Sequence, residues 1–166
     1  MRSRWVLTLG LVVLAGCLVT PTPVDGPATQ DQPVTVILNN SVNTTHTFEV
    51  WVVDVESPVA VQRDDGKFGN YSVDAGIASR SSGEYHTYTG IEFGESARRH
   101  GRYTLAPGEE TRTSIEAFSP ANAVVIVPYR SDGTFEGFVS SSCDDELTYV
   151  AVTLRSYGTD SAYICR

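Results

Sequence analysis

The chain has 166 residues, and its 20 Asp and Glu outnumber its 12 Lys and Arg to give a formal net charge of −8. This length suits one domain with a single core. An acidic surface repels phosphate groups, so the composition argues against nucleic-acid binding.

A short apolar run near the N-terminus ends at a cysteine. Arg2 and Arg4 open the chain, residues 5–14 are mainly apolar, and Leu14-Ala15-Gly16-Cys17 follows. The run is shorter than the ~20 residues that a membrane-spanning helix needs, so residues 1–16 predict a cleaved signal peptide. The residues from Leu14 to Cys17 resemble the lipobox of bacterial and archaeal lipoproteins. The resemblance implies a lipid on Cys17 and a lipid-anchored location on the extracytoplasmic face of the cell membrane. The alternatives are an uncleaved anchor and an ordinary secretory peptide.

Cysteine parity agrees with this interpretation. The chain has three cysteines, Cys17, Cys143 and Cys165. An odd number in an exported protein leaves one thiol over, and lipidation of Cys17 would account for it. The remaining pair predicts a disulfide between Cys143 and Cys165 in an oxidising compartment. The alternative is two free, buried thiols.

Residues 17–33 predict an extended tether behind the lipidated cysteine. Pro21, Pro23, Pro27 and Pro33 interrupt this segment, which has no hydrophobic period. A polyproline-like segment rises ~3.1 Å per residue, so the tether would lift the following domain off the membrane.

Two strand patterns follow the tether. Val34, Val36 and Leu38 alternate with Thr35, Ile37 and Asn39, and residues 39–43 are typical of a turn. Residues 46–55 carry apolar side chains on both faces, which is typical of a central strand in a packed sheet. We expect the two strands to form a hairpin.

Residues 56–102 are less regular and are interpreted as an insertion. Asp64-Asp65-Gly66 predicts a hairpin turn, and residues 84–93 alternate as a strand does. Residues 95–100 predict one helical turn. Four aromatic residues of this segment and its border would form a binding patch if they were exposed together. The alternative is ordinary sheet packing. The four residues are Tyr85, Tyr88, Phe93 and Tyr103.

From residue 103 onward, short strand patterns alternate with turn signals. Pro107-Gly108 favours a type II turn. Further strands are expected at residues 111–117, 124–129, 135–140, 147–154 and 161–165. Eight to ten short strands predict an all-β fold, an Ig-like β-sandwich over residues 34–166 with mostly antiparallel strands.

The strand–turn–strand opening, the turn from Leu105 to Glu109 and the late cysteine pair resemble Ig-like lipoproteins of halophilic archaea. An acidic chain with a single lysine, Lys67, is similar to proteins of such organisms. The alternative is a mildly acidic protein of no special habitat. The resemblance covers residues 34–55 and 103–165, and it implies the sandwich architecture without any catalytic residues.

The sequence favours neither a cofactor nor a metal site. A blue-copper site needs two histidines, a cysteine and usually a methionine, but no histidine follows Cys143 and the only methionine is Met1. Zinc-ligand spacing is absent. The candidate bases of a hydrolytic triad are His46, His86 and His100, and no Gly-x-Ser-x-Gly motif accompanies them. We expect that the chain is not an enzyme.

Three sequons make Asn39, Asn43 and Asn70 candidate glycosylation sites. Together these features predict a lipid-anchored module that binds a cell-surface protein or glycan, or supports the cell surface. One alternative is a ligand-capturing accessory protein of a membrane transporter or respiratory complex, with a pocket lined by residues 56–102. Others are a protease inhibitor that presents loops at one end of the sandwich, and an enzyme.

Overall fold

The computed structural model describes residues 32–73, 78–80 and 87–166, which form an all-β fold of twelve strands. The expected signal peptide, Cys17, most of the tether, Tyr85 and His86 lie outside these residues. The described part contains no helix with the length and apolar character needed to cross a membrane. The strands are β1 (Val34–Asn40), β2 (His46–Asp54), β3 (Val59–Arg63), β4 (Phe68–Tyr71), β5 (Ala78–Arg80), β6 (Tyr88–Glu92), β7 (Arg98–Leu105), β8 (Glu110–Ile115), β9 (Asn122–Arg130), β10 (Gly137–Ser141), β11 (Leu147–Arg155) and β12 (Gly158–Cys165).

The strands make three sheets stacked as layers. Sheet A has the order β12-β11-β1-β8, sheet B has the order β5-β10-β9-β2-β7, and sheet C has the order β4-β3-β6. The described strand pairs are antiparallel except for β1 and β11, which run parallel. The number of strands exceeds the eight to ten expected, since β4 and β5 have only four and three residues and carry little pattern.

Sheets A and B enclose the main hydrophobic core. Its members come from the alternating inward positions of both sheets, such as Val36 and Leu38 of β1 and Phe48 and Val50 of β2, all fully buried. Alternation with period two places every second side chain on the core face. The expected all-β sandwich is confirmed.

Sheet C covers the other face of sheet B and creates a second core. This core joins Val59 and Val61 of β3 to Val53 of β2 and to Phe138 of β10. Sheet B is therefore buried on both faces, which explains why residues 123–127 of β9 are all buried. The prediction that β2 is a central strand is confirmed, since it lies between β9 and β7.

Two local predictions are wrong. β1 and β2 form no hairpin, because β1 pairs with β8 and β11 in sheet A whereas β2 lies in sheet B. Residues 41–45 cross from one sheet to the other. Residues 95–100 form no helical turn, because β7 already begins at Arg98 and pairs with β2. His100 is the extra residue of a bulge there, between Arg99 and Gly101.

Several turns agree with the sequence. Residues 64–67 join the antiparallel strands β3 and β4, and Gly66 adopts a φ of 77°. The predicted turn at Pro107-Gly108 has a φ of 76° at Gly108 and a hydrogen bond from the Glu109 amide to the Ala106 carbonyl. It connects sheet B to sheet A. The last hairpin, β11–β12, turns at residues 156–157.

The sandwich has two distinct ends along β1. At its start, called the tether end because the expected tether precedes it, Arg166 donates a hydrogen bond to the Gln32 side chain at 3.0 Å, and Cys165 is bonded to Cys143. At its finish, the loop end, four connections meet: residues 41–45, 106–109, 131–136 and 156–157. The strand register places these connections at one end, because Asn40 at the end of β1 aligns with Leu154 near the end of β11. His46 aligns with both Leu105 and Arg130.

Candidate functional site: a cleft at the loop end

A cleft of about 720 Å³ opens at the loop end of the sandwich. Its walls come from the β1–β2 loop, the β9–β10 turn and the β11–β12 turn. Polar side chains predominate among its lining residues, which are Ser41, Val42, Asn43, Thr44, Thr45, His46, Arg130, Ser131, Asp132, Glu136, Leu154, Arg155 and Ser156.

Asn40 fixes the loop that forms one wall of this cleft. Its side chain is fully buried. The amide nitrogen lies 2.8 Å from the Thr44 carbonyl oxygen and 3.0 Å from that of Leu105, so its two hydrogens have partners on the β1–β2 loop and at the end of β7. The Asn40 side-chain oxygen accepts a hydrogen bond from the Val42 amide at 3.3 Å. One side chain thus ties the β1–β2 loop to the end of β7.

His46 lies at the base of the cleft. The residue is only 4% exposed, and its Nδ1 lies 3.0 Å from the Thr44 carbonyl oxygen. A carbonyl oxygen only accepts hydrogen bonds, so Nδ1 carries the proton. In the neutral ring Nε2 is then an acceptor, and it has no partner among the residues that the structure describes.

Ion pairs hold the two arginines of the cleft. Arg130 Nε contacts Glu136 Oε1, and Arg155 Nε contacts Asp160 Oδ2. The side chain and the backbone amide of Thr134 donate hydrogen bonds that lower the pKa of Asp132. A smaller cavity of about 340 Å³ also includes Arg130 and Glu136 in its lining, so this ion pair borders both spaces.

The predicted disulfide is confirmed. Cys143 and Cys165 are bonded, with their Cα atoms 5.8 Å apart. Cys143 follows β10 of sheet B, and Cys165 ends β12 of sheet A. The bond therefore joins the two sheets at the tether end, far from the cleft.

The three sequon asparagines have different surroundings. Asn43 is exposed on the cleft wall. Asn70 is exposed on β4. Asn39 is half-buried on β1, donates a hydrogen bond to Glu110 at 3.2 Å and accepts one from Ser41 at 2.7 Å. Asn43 and Asn70 are the more accessible of the three.

The aromatic residues predicted as one patch are divided between two layers. Tyr88 packs in the core between sheets B and C, where its hydroxyl bonds that of Tyr71. Phe93 packs in the same layer and stacks on Trp51 with ring centroids 4.5 Å apart. Tyr103 instead packs against the core between sheets A and B. Tyr85 lies outside the described residues.

The histidines show no hydrolytic triad in the described part of the chain. His100 Nε2 lies 3.3 Å from Thr113 Oγ1, which also accepts a hydrogen bond from the Tyr103 hydroxyl at 3.1 Å. Burial, and then the charge of Arg98, lower the pKa of His100. No cluster of three metal-ligating side chains occurs among the described residues.

Sequence reasoning missed both the cleft and the exposed aromatic residue next to it. Tyr157 is 61% exposed in the β11–β12 turn, directly after Ser156 of the cleft lining. Its hydroxyl donates a hydrogen bond to Asp160 at 3.2 Å. The asparagine-rich turn before His46 was a signal of a structured loop, but nothing in it indicated which loops would meet.

No family model and no curated protein matches the chain. Among solved structures, one described as "Trapped Toxin" aligns with 81% of this chain at 7% sequence identity and a TM-score of 0.31. The chain spans 24% of the length of that structure. A likeness this weak carries no argument about function.

Proposed function

We propose that this protein is a non-enzymatic module, held by a lipid on Cys17 at the extracytoplasmic face of the membrane, that binds a partner through its loop-end cleft. The observation that supports this function is the position of the cleft relative to the point where the tether enters. The tether enters at the start of β1, and the cleft lies at its finish.

β1 has seven residues, and at ~3.3 Å per residue it separates the two ends by roughly 20 Å. The extended tether limits how far the near end can move from the lipid, and the opposite end can reach roughly 20 Å farther out. Loops carried by a rigid sandwich are a common place for binding residues.

The loops of the loop end are also preorganised, so a partner can bind without a prior rearrangement of these loops. Asn40 donates hydrogen bonds to two connections of the loop end, at Thr44 and Ala106, and ion pairs restrain Arg130 and Arg155. Preorganised loops lose less conformational entropy on binding. The 720 Å³ cleft draws no lining residue from 56–102, so it differs from the pocket of the transporter-accessory alternative.

Site-specific photo-crosslinking in the native cells would test this function. One full-length variant carries a photo-reactive amino acid at Asn43, exposed at the loop end, and a control carries it at Asp144, exposed at the tether end. We expect a discrete crosslinked species from position 43 and none from position 144. Equal crosslinking at both positions, or none at position 43, would contradict the proposal.

The anchor has a separate test. We expect mass spectrometry of the membrane fraction to find Cys17 as the lipid-modified N-terminal residue, and Cys17→Ser to release the protein into the medium. A peptide that still joins Ala15 to Cys17 would refute the anchor.

A further inference from the structure

We propose that the loop-end cleft binds a neutral saccharide, and that His46 Nε2 accepts a hydrogen bond from one of its hydroxyl groups. This inference rests on the proposed function and names the chemical class of the ligand.

The first argument is the ring nitrogen Nε2 of His46, a residue of the cleft lining. His46 is only 4% exposed, and the Thr44 carbonyl oxygen, 3.0 Å away, fixes the proton on Nδ1. Nε2 is thereby left as an acceptor in the lining of the cleft. An acceptor that borders a cleft can take a hydrogen bond from a hydroxyl group of a bound molecule. A ligand that donates a hydrogen bond satisfies this nitrogen.

The second argument is the chemistry of the walls. Ser131 and Ser156 contribute hydroxyl groups on two turns, and Thr44 and Thr45 contribute them on a third connection. Each hydroxyl both donates and accepts hydrogen bonds. A sugar hydroxyl has the same dual capacity, so a polyol can match such walls on several sides at once.

The third argument is charge. The lining contains two arginines and two carboxylates, Asp132 and Glu136. Arg130 is paired with Glu136, and Arg155 is paired with Asp160. An anionic ligand would have to compete with these carboxylates for the guanidinium groups, and a cationic ligand would have to compete with Arg130 for Glu136. A neutral ligand disturbs neither pair.

The fourth argument is the exposed aromatic residue that follows the cleft wall in the chain. Tyr157 follows Ser156 of the cleft wall and is 61% exposed. A pyranose ring presents C–H bonds on its faces and hydroxyl groups around its edge, so it suits an apolar ring beside polar walls. The volume of about 720 Å³ falls in the usual range of small-molecule sites.

The test is a titration of the full mature chain with glucose, galactose, mannose and N-acetylglucosamine, followed by ligand-observed NMR. Inorganic phosphate and glucuronate serve as anionic probes. We expect at least one neutral sugar to bind and both anions to fail. Binding of phosphate or glucuronate in preference to the sugars, or no binding of any sugar to the folded chain, would overturn the inference.

A matched pair of variants tests His46 itself. The amide of His46→Asn replaces the Nδ1 donor and supplies no acceptor at Nε2, whereas the longer His46→Gln side chain brings an amide oxygen close to the Nε2 position. We expect H46N to weaken sugar binding about tenfold, the effect of one lost hydrogen bond, and H46Q to keep most of the affinity. Unchanged binding by H46N would refute the role of His46.

A spectroscopic measurement keeps the inference testable if either variant misfolds. In the unsubstituted chain, the ¹⁵N resonance of His46 Nε2 should shift when the sugar that binds in the titration is added. It should not shift when phosphate is added. An unmoved resonance at saturating sugar would refute the contact. If no sugar binds but crosslinking at position 43 remains specific, the proposal of a saccharide ligand fails, whereas the proposal that the loop end binds a partner is retained.

Discussion

The side-chain amide nitrogen of Asn40 lies 3.0 Å from the carbonyl oxygen of Leu105, although 65 positions separate the two residues in the chain. The same nitrogen lies 2.8 Å from the Thr44 carbonyl oxygen. Asn40 therefore links the crossing from sheet A to sheet B with the end of β7. The geometry of the cleft depends on this link.

Replacement of Asn40 should destabilise the fold and open the cleft. Asn40→Ala removes a buried hydrogen bond to the Leu105 carbonyl and a partly buried one to the Thr44 carbonyl, so we expect a loss of about 2–4 kcal/mol in the free energy of unfolding. Urea denaturation measures it. Asn39→Ala is the neighbouring control, because its side-chain contact with Glu110 is exposed and should matter little. Equal losses for the two variants would contradict the assigned role of Asn40.

Removal of the disulfide should weaken the tether end without altering the cleft. The bond between Cys143 and Cys165 closes a loop with a sequence separation of 22, for which the chain-entropy model gives about 3 kcal/mol. We expect the double variant C143S/C165S to lose about this much stability and to keep its ligand binding. Loss of binding in a folded double variant would show that the two ends are coupled.

Gly101 should tolerate no side chain, because the ring of Tyr103 lies over it. A Cβ atom at Gly101 would come within 2.5 Å of the Tyr103 hydroxyl oxygen. Gly101→Ala must displace this ring and break its hydrogen bond to Thr113, so we expect a loss of about 1–3 kcal/mol. Thermal unfolding measures the loss, and Gly94→Ala is the control, since its Cβ meets no atom within 4 Å. In a Tyr103→Ala background the cost of G101A should shrink, and an undiminished cost would refute the steric explanation.

The pair of Tyr71 and Tyr88 should make the stability depend on pH in alkali. The hydrogen bond with Tyr88, and then burial, raise the pKa of Tyr71 to about 12, above its ordinary value of 10.0. The folded state therefore holds the proton in a pH range where the unfolded state releases it. The stabilisation is present below pH 10 and is lost as the pH rises towards 12.

Alkaline titration of tyrosinate absorbance in the folded protein measures this effect. Tyr88→Phe removes the hydroxyl partner and should bring the pKa of Tyr71 back towards its ordinary value, with a shallower loss of stability. An unchanged titration curve in Y88F would show that Tyr88 is not the cause.

Salt should stabilise the mature protein. Cleavage before Cys17 would remove Arg2 and Arg4 and make the net charge more negative than the −8 of the whole chain. At molar salt the Debye length is about 3 Å, so repulsion between carboxylates is screened. We expect the melting temperature to rise with sodium chloride, and to rise less in D144N/D145N, which lacks two exposed charges. A melting temperature independent of salt would refute the halophilic interpretation.

The local pattern predicted those features that depend on neighbouring residues. Alternation with period two predicted most strands. Asp65-Gly66 and Pro107-Gly108 predicted the turns in which they lie, and cysteine parity predicted the disulfide. Each depends on side-chain direction, backbone preference or thiol number, which the sequence records directly. His100 shows the limit, because a strand bulge opposite β2 is set by the partner strand and leaves no local sign.

The sequence by itself determined the all-β class, the two-sided burial of β2 and the cysteine pair. The first two follow from the periodicity of apolar residues, and the third follows from the number of cysteines. Only the tertiary structure decided that β1 and β2 lie in different sheets and that sheet C covers sheet B. It also decided that the predicted aromatic patch is divided between two cores. The physical reason is that many pairings of amphipathic strands satisfy the same alternation, and long-range contacts such as that of Asn40 with Leu105 select one of them. The loop-end cleft arises from that selection, since its walls come from three connections that lie far apart along the chain.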